Sequence, residues 1–242
     1  MAEREGFEPS KQVTPLNGLA NRRTRPLCDL SAGGADPTMG VVPDSPPPIV
    51  KSPTSEEEMR RAIIGEIKLH DAPVRLVEYD AAWPELYARE EARIRAALGD
   101  RVVRIEHTGS TSVPGLAAKP VIDITLAVRD SSAEREYVPA LEAAGYVLRI
   151  REPDWHEHRM LRGPDTNVNL HLFSAGSIEI ERMVAFRDWL RSHPEDRVLY
   201  ETTKRELAAR TWRHVQHYAD AKTSVVEAII GRAGGPPPLP RT

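Results

Sequence analysis

Hydrophobic and polar positions alternate along the chain in blocks whose spacing predicts strands and helices. From Val74 a strand pattern leads into a helical pattern that begins near Pro84 and ends at Gly99. After Ser177 the apolar residues recur at helical spacing, which predicts helices only, to about residue 230. Five further blocks have the apolar composition of strands and span residues 102–106, 120–128, 146–150, 156–161 and 167–173.

A helix between the third and fourth predicted strands is indicated by its ends. Ser131 and Glu134 have the spacing of a capping box, and Gly145 is a typical helix terminator. Strands and helices therefore mix in the first part of the chain, and helices alone fill the last part. This order predicts an α/β (α+β) fold, a mixed β-sheet flanked by helices with a helical C-terminal portion.

Proline content divides the chain into three parts. Nine of the 21 prolines lie in residues 1–58, which show no hydrophobic period. We expect residues 1–58 to be a disordered or spurious extension, 59–231 one folded domain and 232–242 a disordered tail. The opening residues are typical of a translation start placed too far upstream, which predicts a native start at Met39 or Met59.

Composition and charge exclude several classes of protein. No apolar run reaches the roughly 18 residues of a membrane helix, and no signal peptide is visible, so we expect a cytoplasmic protein without a membrane partner. Cys28 is the only cysteine, which excludes an intrachain disulfide and a cysteine-based zinc site. The net charge of −3 belongs to residues 1–58, because the remaining residues carry 27 basic and 27 acidic side chains. A neutral domain argues against nucleic acid as the main partner.

The chemically informative segment connects the second and third predicted strands. A glycine directly after a strand lets an anion approach the backbone, and the hydroxyl residues that follow it add N–H and O–H donors. The segment is not a Walker A loop, because Leu116 stands where that loop requires lysine, and it lacks the dinucleotide fingerprint. The residues with this predicted phosphate-binding role are Gly109, Ser110, Thr111 and Ser112.

Two charged residues end the same segment. Lys119 supplies a positive charge for phosphate oxygens. Asp123 interrupts an apolar strand, where a charge is costly without a partner, so a magnesium ion or a base is expected beside it. A structural alternative stays open, in which the segment is a tight connection, Asp123 caps a neighbouring element and Lys119 is solvated.

The sequence resembles the GrpB-like family, a group within the nucleotidyltransferase superfamily fold, over residues 74–230. The family pattern His-x-Gly-Ser-Thr-Ser-Val-Pro-Gly-Leu-x-x-Lys-Pro-x-x-Asp is complete at residues 107–123. The segments 169–173, 179–182 and 186–191 also match. The resemblance implies transfer of a nucleoside monophosphate or related phosphate group from a nucleoside triphosphate to an acceptor, with Mg²⁺ or Mn²⁺.

The resemblance also implies where the cations bind. Active members of this fold hold two cations with two carboxylates on one strand and a third on a later strand. Asp123 matches the first carboxylate, but Thr125 stands at the second position, and the later strand offers Asn169 and His171. A single cation held by Asp123 and the phosphates fits these residues, because Mg²⁺ often takes only one or two protein carboxylates.

Further side chains are candidates for supporting roles. His107 and His171 are candidate general bases, and His171 is also a candidate metal ligand. Glu106 either completes a carboxylate pair with Asp123 or forms a salt bridge with an arginine, which we favour. The basic residues with a predicted phosphate contact at matching positions are Arg182, Lys204 and Lys222, for which helix-face salt bridges are the alternative.

The later predicted strands contain two more histidines. His156 and His158 face one side of a predicted strand, which we interpret as a solvated face.

The missing carboxylates favour an alternative function, a non-catalytic module that binds a nucleotide or phosphometabolite. The resemblance links this alternative to coenzyme A metabolism, because GrpB-like domains occur fused to dephospho-CoA kinases.

Overall fold

A computed structural model describes residues 52–238, so the predicted extension up to residue 51 and the last four residues of the predicted tail lie outside the described residues. The helices are Glu56–Ala62 (α1), Trp83–Leu98 (α2), Val138–Ala143 (α3), Ile178–Ser192 (α4), Pro194–Ala208 (α5), Val215–Ala221 (α6) and Thr223–Arg232 (α7). The strands are Ala72–Pro73 (β1), Arg104–Thr108 (β2), Ile122–Val128 (β3), Val147–Glu152 (β4), His158–Arg162 (β5), Val168–Ser174 (β6) and Thr211–Trp212 (β7). No helix in this part of the chain is long and apolar enough to cross a membrane.

Five strands form one mixed sheet in the order β2-β3-β6-β5-β4. Strands β3 and β6 are parallel, and every other neighbouring pair is antiparallel. The short strands β1 and β7 pair with each other in a separate two-stranded ribbon. The predicted mixed sheet with a helical C-terminal portion is confirmed.

The two faces of the sheet differ because side chains alternate along each strand. On one face Ile124 and Leu126 of β3 and Leu170 of β6 are fully buried, and α2 and α3 pack against them. The opposite face carries Asp123 and Thr125, and α1, α4 and α6 lie over it. The polar residues of β3 thus lie on the face away from the main core.

Three predicted elements differ from those observed. The predicted strand after Val74 contributes only an isolated bridge between Val77 and Ala118. Glu134 does not cap a helix, because its carboxylate pairs with Arg151 and Arg159 at 2.6 and 2.5 Å, and the α-helix begins later. The helical pattern from Arg213 to Ile230 predicts one helix, but the structure divides it into α6 and α7.

The described residues include structure on the outer side of both predicted boundaries, residues 59 and 231. Helix α1 begins at Glu56, and a capping box joins Ser55 to Glu58 at its start. Met59 is only 3% exposed, so this helix packs on the domain instead of belonging to a separate extension. At the other end the Pro236 carbonyl accepts a hydrogen bond from Arg182.

Candidate active-site cleft

A cleft of about 670 Å³ opens on the polar face of the sheet, a volume within the range of ligand sites. One part of its wall is polar and comes from β2, β3, β5, β6 and the loop between β2 and β3. The other part is apolar and comes from α1, β4, α4 and α6. The polar lining residues include Thr108, Gly109, Lys119, Asp123, Arg162, Asn169 and His171.

Gly109 has a different role from the predicted one. It directly follows β2 with φ +66°, and the Asp123 carboxylate lies in the space that a side chain at this position would occupy. The glycine therefore makes room for Asp123, whereas the sequence predicted room for an anion. A short 3-10 helix, Ser110–Ser112, follows it.

Two of the three predicted phosphate-binding hydroxyls point into the protein. Thr111 Oγ1 donates to the Val121 carbonyl at 3.2 Å, and Ser112 Oγ donates to the Gly109 carbonyl at 2.6 Å. Both side chains are buried, so they stabilise the loop. Ser110 is half-buried and accepts a hydrogen bond from Lys204 Nζ at 3.2 Å.

Asp123 is oriented by the neighbouring parallel strand. The register of β3 and β6 pairs Asp123 with Asn169, whose Nδ2 donates to Asp123 Oδ1 at 2.8 Å. Asn169 Oδ1 accepts a hydrogen bond from Arg162 at 2.5 Å, which determines the orientation of the amide. Both ends of Asn169 are therefore engaged with protein groups, and its function is to position Asp123.

Thr125 stands where the resemblance implies a second carboxylate, and its side chain is engaged within the protein. Thr125 is 1% exposed, and its hydroxyl shares a hydrogen bond of 2.8 Å with Thr108. Within residues 52–238 no group of three His, Cys, Asp or Glu side chains is arranged to hold a metal ion. The described residues thus fit one cation at Asp123, with its remaining ligands from a substrate or water.

Three lysines from distant parts of the chain lie close enough to interact through their charges, and we call them the lysine cluster (Lys119, Lys204 and Lys222). Lys119 and Lys222 approach the ring of Tyr218, with their Nζ atoms 5.9 and 4.5 Å from its centroid. Lys204 is 1% exposed and contacts Ser110. Among the described residues no carboxylate oxygen lies within 4 Å of these three ammonium groups.

Burial and mutual repulsion make the lysine cluster unusual. Burial, with a contribution from the charge of Lys222, lowers the pKa of Lys204 to about 7. Burial lowers the pKa of Lys222 to about 8, although the Asp123 charge acts in the opposite direction. Burial and Lys222 also lower the pKa of Lys119. Cations held in this way gain stability when a polyanion binds beside them.

Two predicted site residues lie away from the cleft. His107 is on the opposite face of the sheet, where its ring stacks on Tyr87 with centroids 4.7 Å apart and burial lowers its pKa to about 4. Arg182 is 3% exposed and lies 2.5 Å from Glu227 and 2.8 Å from Glu179. The geometry therefore supports structural roles for both residues.

The favoured alternative for Glu106 agrees with the structure. Its carboxylate pairs with Arg104 at 3.0 Å and with Arg187 at 2.7 Å. These arginines outweigh the effect of burial and lower the pKa of Glu106. Glu106 is thus held in a salt bridge and does not form a carboxylate pair with Asp123.

A row of side chains in contact with one another leads from Glu152, on the edge strand β4, to Asp123. The sequence did not indicate this row. Glu152 Oε2 lies 2.9 Å from His158 Nδ1, and His158 Nε2 lies 3.0 Å from His171 Nδ1. His171 Nε2 lies 3.8 Å from Asp123 Oδ1. The predicted solvated face is wrong for His158, which is 3% exposed because the Trp155 ring packs against it. The pairing of β4, β5 and β6 creates this row, and no spacing within the sequence reveals it.

The fold and the cleft together define an α/β protein with a mixed five-stranded sheet, flanked by helices, and one polar site at the β2–β3 turn. The chain belongs to the GrpB family, because the model of the family described as GrpB protein matches residues 73–232. The resemblance noted from the motif is thereby confirmed.

Similar proteins agree with this assignment. The UPF0157 protein BH1888 of Halalkalibacterium halodurans is 57% identical over 182 residues, which cover 75% of this chain and 93% of that protein. The crystal structure of conserved protein GrpB from Enterococcus faecalis matches with a TM-score of 0.58 and 29% identity, covering 66% of this chain and 96% of that one. A dephospho-CoA kinase of Mycolicibacterium paratuberculosis is 32% identical over 177 residues, which cover 62% of this chain and 44% of the kinase.

Proposed function

We propose that this protein binds a nucleoside triphosphate in the cleft and transfers its nucleoside monophosphate group to an acceptor, with one divalent cation at Asp123. The lysine cluster carries the proposal. Three buried or half-buried ammonium groups without a carboxylate partner among the described residues are costly in the free protein, and a triphosphate would neutralise them.

The lysine cluster and Asp123 have distinct tasks in this reaction. Lys119 lines the cleft and contacts phosphate oxygens, and Lys222, which also lies near the Tyr218 ring, adds its charge. Lys204 holds Ser110 in place for a hydrogen bond to the same group. Asp123, held by Asn169, is the ligand for the cation.

The bond changes in the transfer balance without a further reactant. An acceptor oxygen forms a bond to the α-phosphorus while the bond from that phosphorus to its bridging oxygen breaks. Pyrophosphate leaves, and the acceptor proton passes to water. A divalent cation supplies charge neutralisation for the leaving pyrophosphate.

The apolar wall of the cleft accommodates the uncharged part of a ligand. The apolar lining residues are Met59, Ile63, Ile150, Met183 and Phe186, and Ile63 lies beside Ile150 in an isolated β-bridge. These side chains offer surface for a base or an acceptor and few groups for hydrogen bonding.

A second function, a binding module without catalysis, is favoured by one observation. Thr125 occupies the second carboxylate position and is already bonded to Thr108. The similarity to a dephospho-CoA kinase adds a phosphometabolite of coenzyme A metabolism as a candidate ligand for such a module.

Nucleotide binding and pyrophosphate release by the full chain separate these functions. ATP, GTP, CTP and UTP are titrated with Mg²⁺ or Mn²⁺, and binding and released pyrophosphate are measured. We expect Lys119→Met and Lys222→Met each to weaken binding about tenfold or more, as loss of a charged hydrogen bond does. Arg210→Met, which removes an exposed cation after α5, is the control and leaves binding unchanged.

Asp123→Asn distinguishes transfer from binding. Release by the wild type but not by Asp123→Asn, with nucleotide still bound, supports the transferase. Binding by the wild type without release supports the module. Absence of nucleotide binding under all these conditions rejects both functions.

A further inference from the structure

His214, the residue directly before helix α6, is buried in the wall of the cleft. It lines the cleft together with Val215 and Gln216, and it is 3% exposed. Within residues 52–238 neither ring nitrogen of His214 has a hydrogen-bond partner. A buried polar group without a hydrogen bond costs free energy, so an unpaired histidine on a cleft wall indicates a ligand group that pairs with it.

The carboxylate nearest to His214 is engaged elsewhere. Glu56 Oε1 lies 3.7 Å from His214 Nε2, which is longer than a hydrogen bond. The same oxygen lies 2.7 Å from Arg213, and Glu56 Oε2 accepts a hydrogen bond from Arg60 at 3.1 Å. The His217 ring meets the His214 ring at 88° with centroids 5.1 Å apart, which is a packing contact. These neighbours hold the His214 ring in place and leave its hydrogen-bonding capacity unused.

The position of His214 along α6 relates it to the lysine cluster. Tyr218 follows His214 by four residues, a separation of about 6 Å along a helix axis. The ring of Tyr218 is the one that Lys119 and Lys222 approach, at 5.9 and 4.5 Å. In a nucleotide the ribose is joined directly to the phosphates. The ribose is therefore the part of the ligand expected one helical turn from phosphates bound at the lysine cluster.

The chemistry of imidazole also favours a sugar over a base. An imidazole nitrogen donates or accepts a hydrogen bond according to where the proton lies. A hydroxyl group both donates and accepts, so it pairs with either ring nitrogen in either tautomer. A carbonyl or an amino group of a base pairs with only one of the two nitrogens of a neutral ring. A hydroxyl thus satisfies His214 whichever nitrogen faces the ligand.

We propose that His214 is a specificity-determining residue that hydrogen-bonds a ribose hydroxyl of the nucleotide in the cleft. This inference rests on the proposed function, since it assigns the sugar contact of the same ligand. A site that hydrogen-bonds a hydroxyl of its ligand discriminates against the analogue that lacks it, because the buried partner is left unpaired. The selectivity conferred by His214 is therefore for the sugar and is the same for all four bases.

Sugar analogues test this contact without any change to the protein. Binding of ATP, 2′-deoxy-ATP and 3′-deoxy-ATP to the full chain is measured by titration calorimetry with MgCl₂. We expect one of the two deoxy analogues to bind about tenfold more weakly than ATP, as loss of one hydrogen bond to a buried group predicts. The analogues of GTP show the same dependence on the sugar. Equal affinity for ATP and both of its analogues overturns the proposal.

Variants of His214 assign the sugar preference to this side chain. His214→Phe removes the hydrogen bond and keeps an aromatic ring beside His217, so ATP binds about tenfold more weakly and its advantage over the deoxy analogue disappears. His214→Gln keeps a donor and an acceptor and restores part of that advantage. His193→Phe is the control, because His193 is half-buried, stacks on Trp189 and does not line the cleft. A sugar preference that persists undiminished in His214→Phe overturns the proposal.

Inorganic tripolyphosphate separates the sugar contact from the lysine cluster. This probe carries phosphates without a sugar, so its affinity is unchanged in His214→Phe and falls about tenfold in Lys119→Met. A comparable loss of tripolyphosphate binding in His214→Phe means that the variant damages the whole cleft, which overturns the assignment to the sugar.

The sugar contact and the proposed function fail in distinguishable ways. Ribose 5-phosphate that binds the wild type but not His214→Phe, in a protein that binds no nucleoside triphosphate, supports the sugar contact and rejects the transferase. Binding of nucleoside triphosphates without any sugar preference rejects the sugar contact alone. Absence of binding by all of these probes rejects both proposals.

Discussion

A methyl group added to Gly109 would lie 2.4 Å from Asp123 Oδ2 and 2.9 Å from Asp123 Cβ. Such distances are far inside van der Waals contact, and φ at Gly109 is +66°, a backbone conformation that favours glycine. The glycine that follows β2 and the carboxylate at the start of β3 thus occupy adjoining space. A side chain at position 109 cannot fit without moving Asp123.

Gly109→Ala is therefore expected to displace Asp123. Gly115→Ala is the matched control, because Gly115 also has a positive φ, +77°, but nothing lies within 4 Å of the added methyl group. We expect Gly115→Ala to lose about 1 kcal/mol of unfolding free energy from backbone strain, and Gly109→Ala at least about 1 kcal/mol more. Urea unfolding measures both, and Mn²⁺ binding should fall only in Gly109→Ala. Equal losses in the two variants would contradict the contact.

The lysine cluster predicts that nucleotide affinity falls as pH rises. In the free protein the pKa of Lys204 is about 7 and that of Lys222 about 8, and a bound polyanion raises both. Binding therefore takes up protons, and affinity is greatest below these values and decreases above them. Titration of ATP from pH 7.5 to 9 checks this, starting where the terminal phosphate has lost its proton. Lys222→Met should flatten the profile, and an unchanged profile would contradict the assignment.

Two buried histidines predict loss of stability in acid. The pKa values of His107 and His158 are lowered to about 4, whereas the ordinary value of 6.5 applies in the unfolded chain. The unfolded state thus binds more protons between these values, so the free energy of unfolding falls as pH decreases from about 6.5 to about 4. His107→Phe keeps an aromatic ring stacked on Tyr87 and removes one of the two side chains that take up a proton on unfolding. Urea unfolding at pH 7.5, 5.5 and 4.5 should give a shallower pH dependence for this variant, and an identical one would contradict the prediction.

A buried tyrosine–glutamate hydrogen bond stabilises the core side of the sheet, away from the cleft. Tyr146 donates its hydroxyl to Glu90 at 2.6 Å, and Glu90 is fully buried. We expect Tyr146→Phe to cost about 1.5–3 kcal/mol of unfolding free energy, because the acceptor is charged. Tyr137→Phe is the comparison, since Tyr137 donates at the same distance to the neutral Ser131 carbonyl, and its loss should be about 1 kcal/mol. A larger loss in Tyr137→Phe would reverse this ranking.

The candidate site was partly predictable because its central residues follow one another closely. The strand–turn–strand segment around Gly109 and Asp123 is local, so its composition alone indicated a polar turn and an isolated carboxylate. Lys204 and Lys222 were reached through family positions, and nothing in their spacing placed them near Lys119. Arg182 matched the same kind of position, yet its carboxylate partners hold it away from the cleft.

The sequence by itself determined the alternation of strands and helices, the polar turn, the carboxylate in an apolar strand and the absence of a second one at Thr125. These features depend on residue type and on short spacings of two to four residues. The tertiary structure decided which face each side chain shares, because the strand order β2-β3-β6-β5-β4 brings together residues far apart in the chain. It placed His107 on the face of the sheet away from the cleft, brought the lysine cluster together and connected Glu152 through two histidines to Asp123. The hydrophobic period is a local property of the sequence, whereas strand pairing and helix packing depend on contacts between residues far apart in the chain.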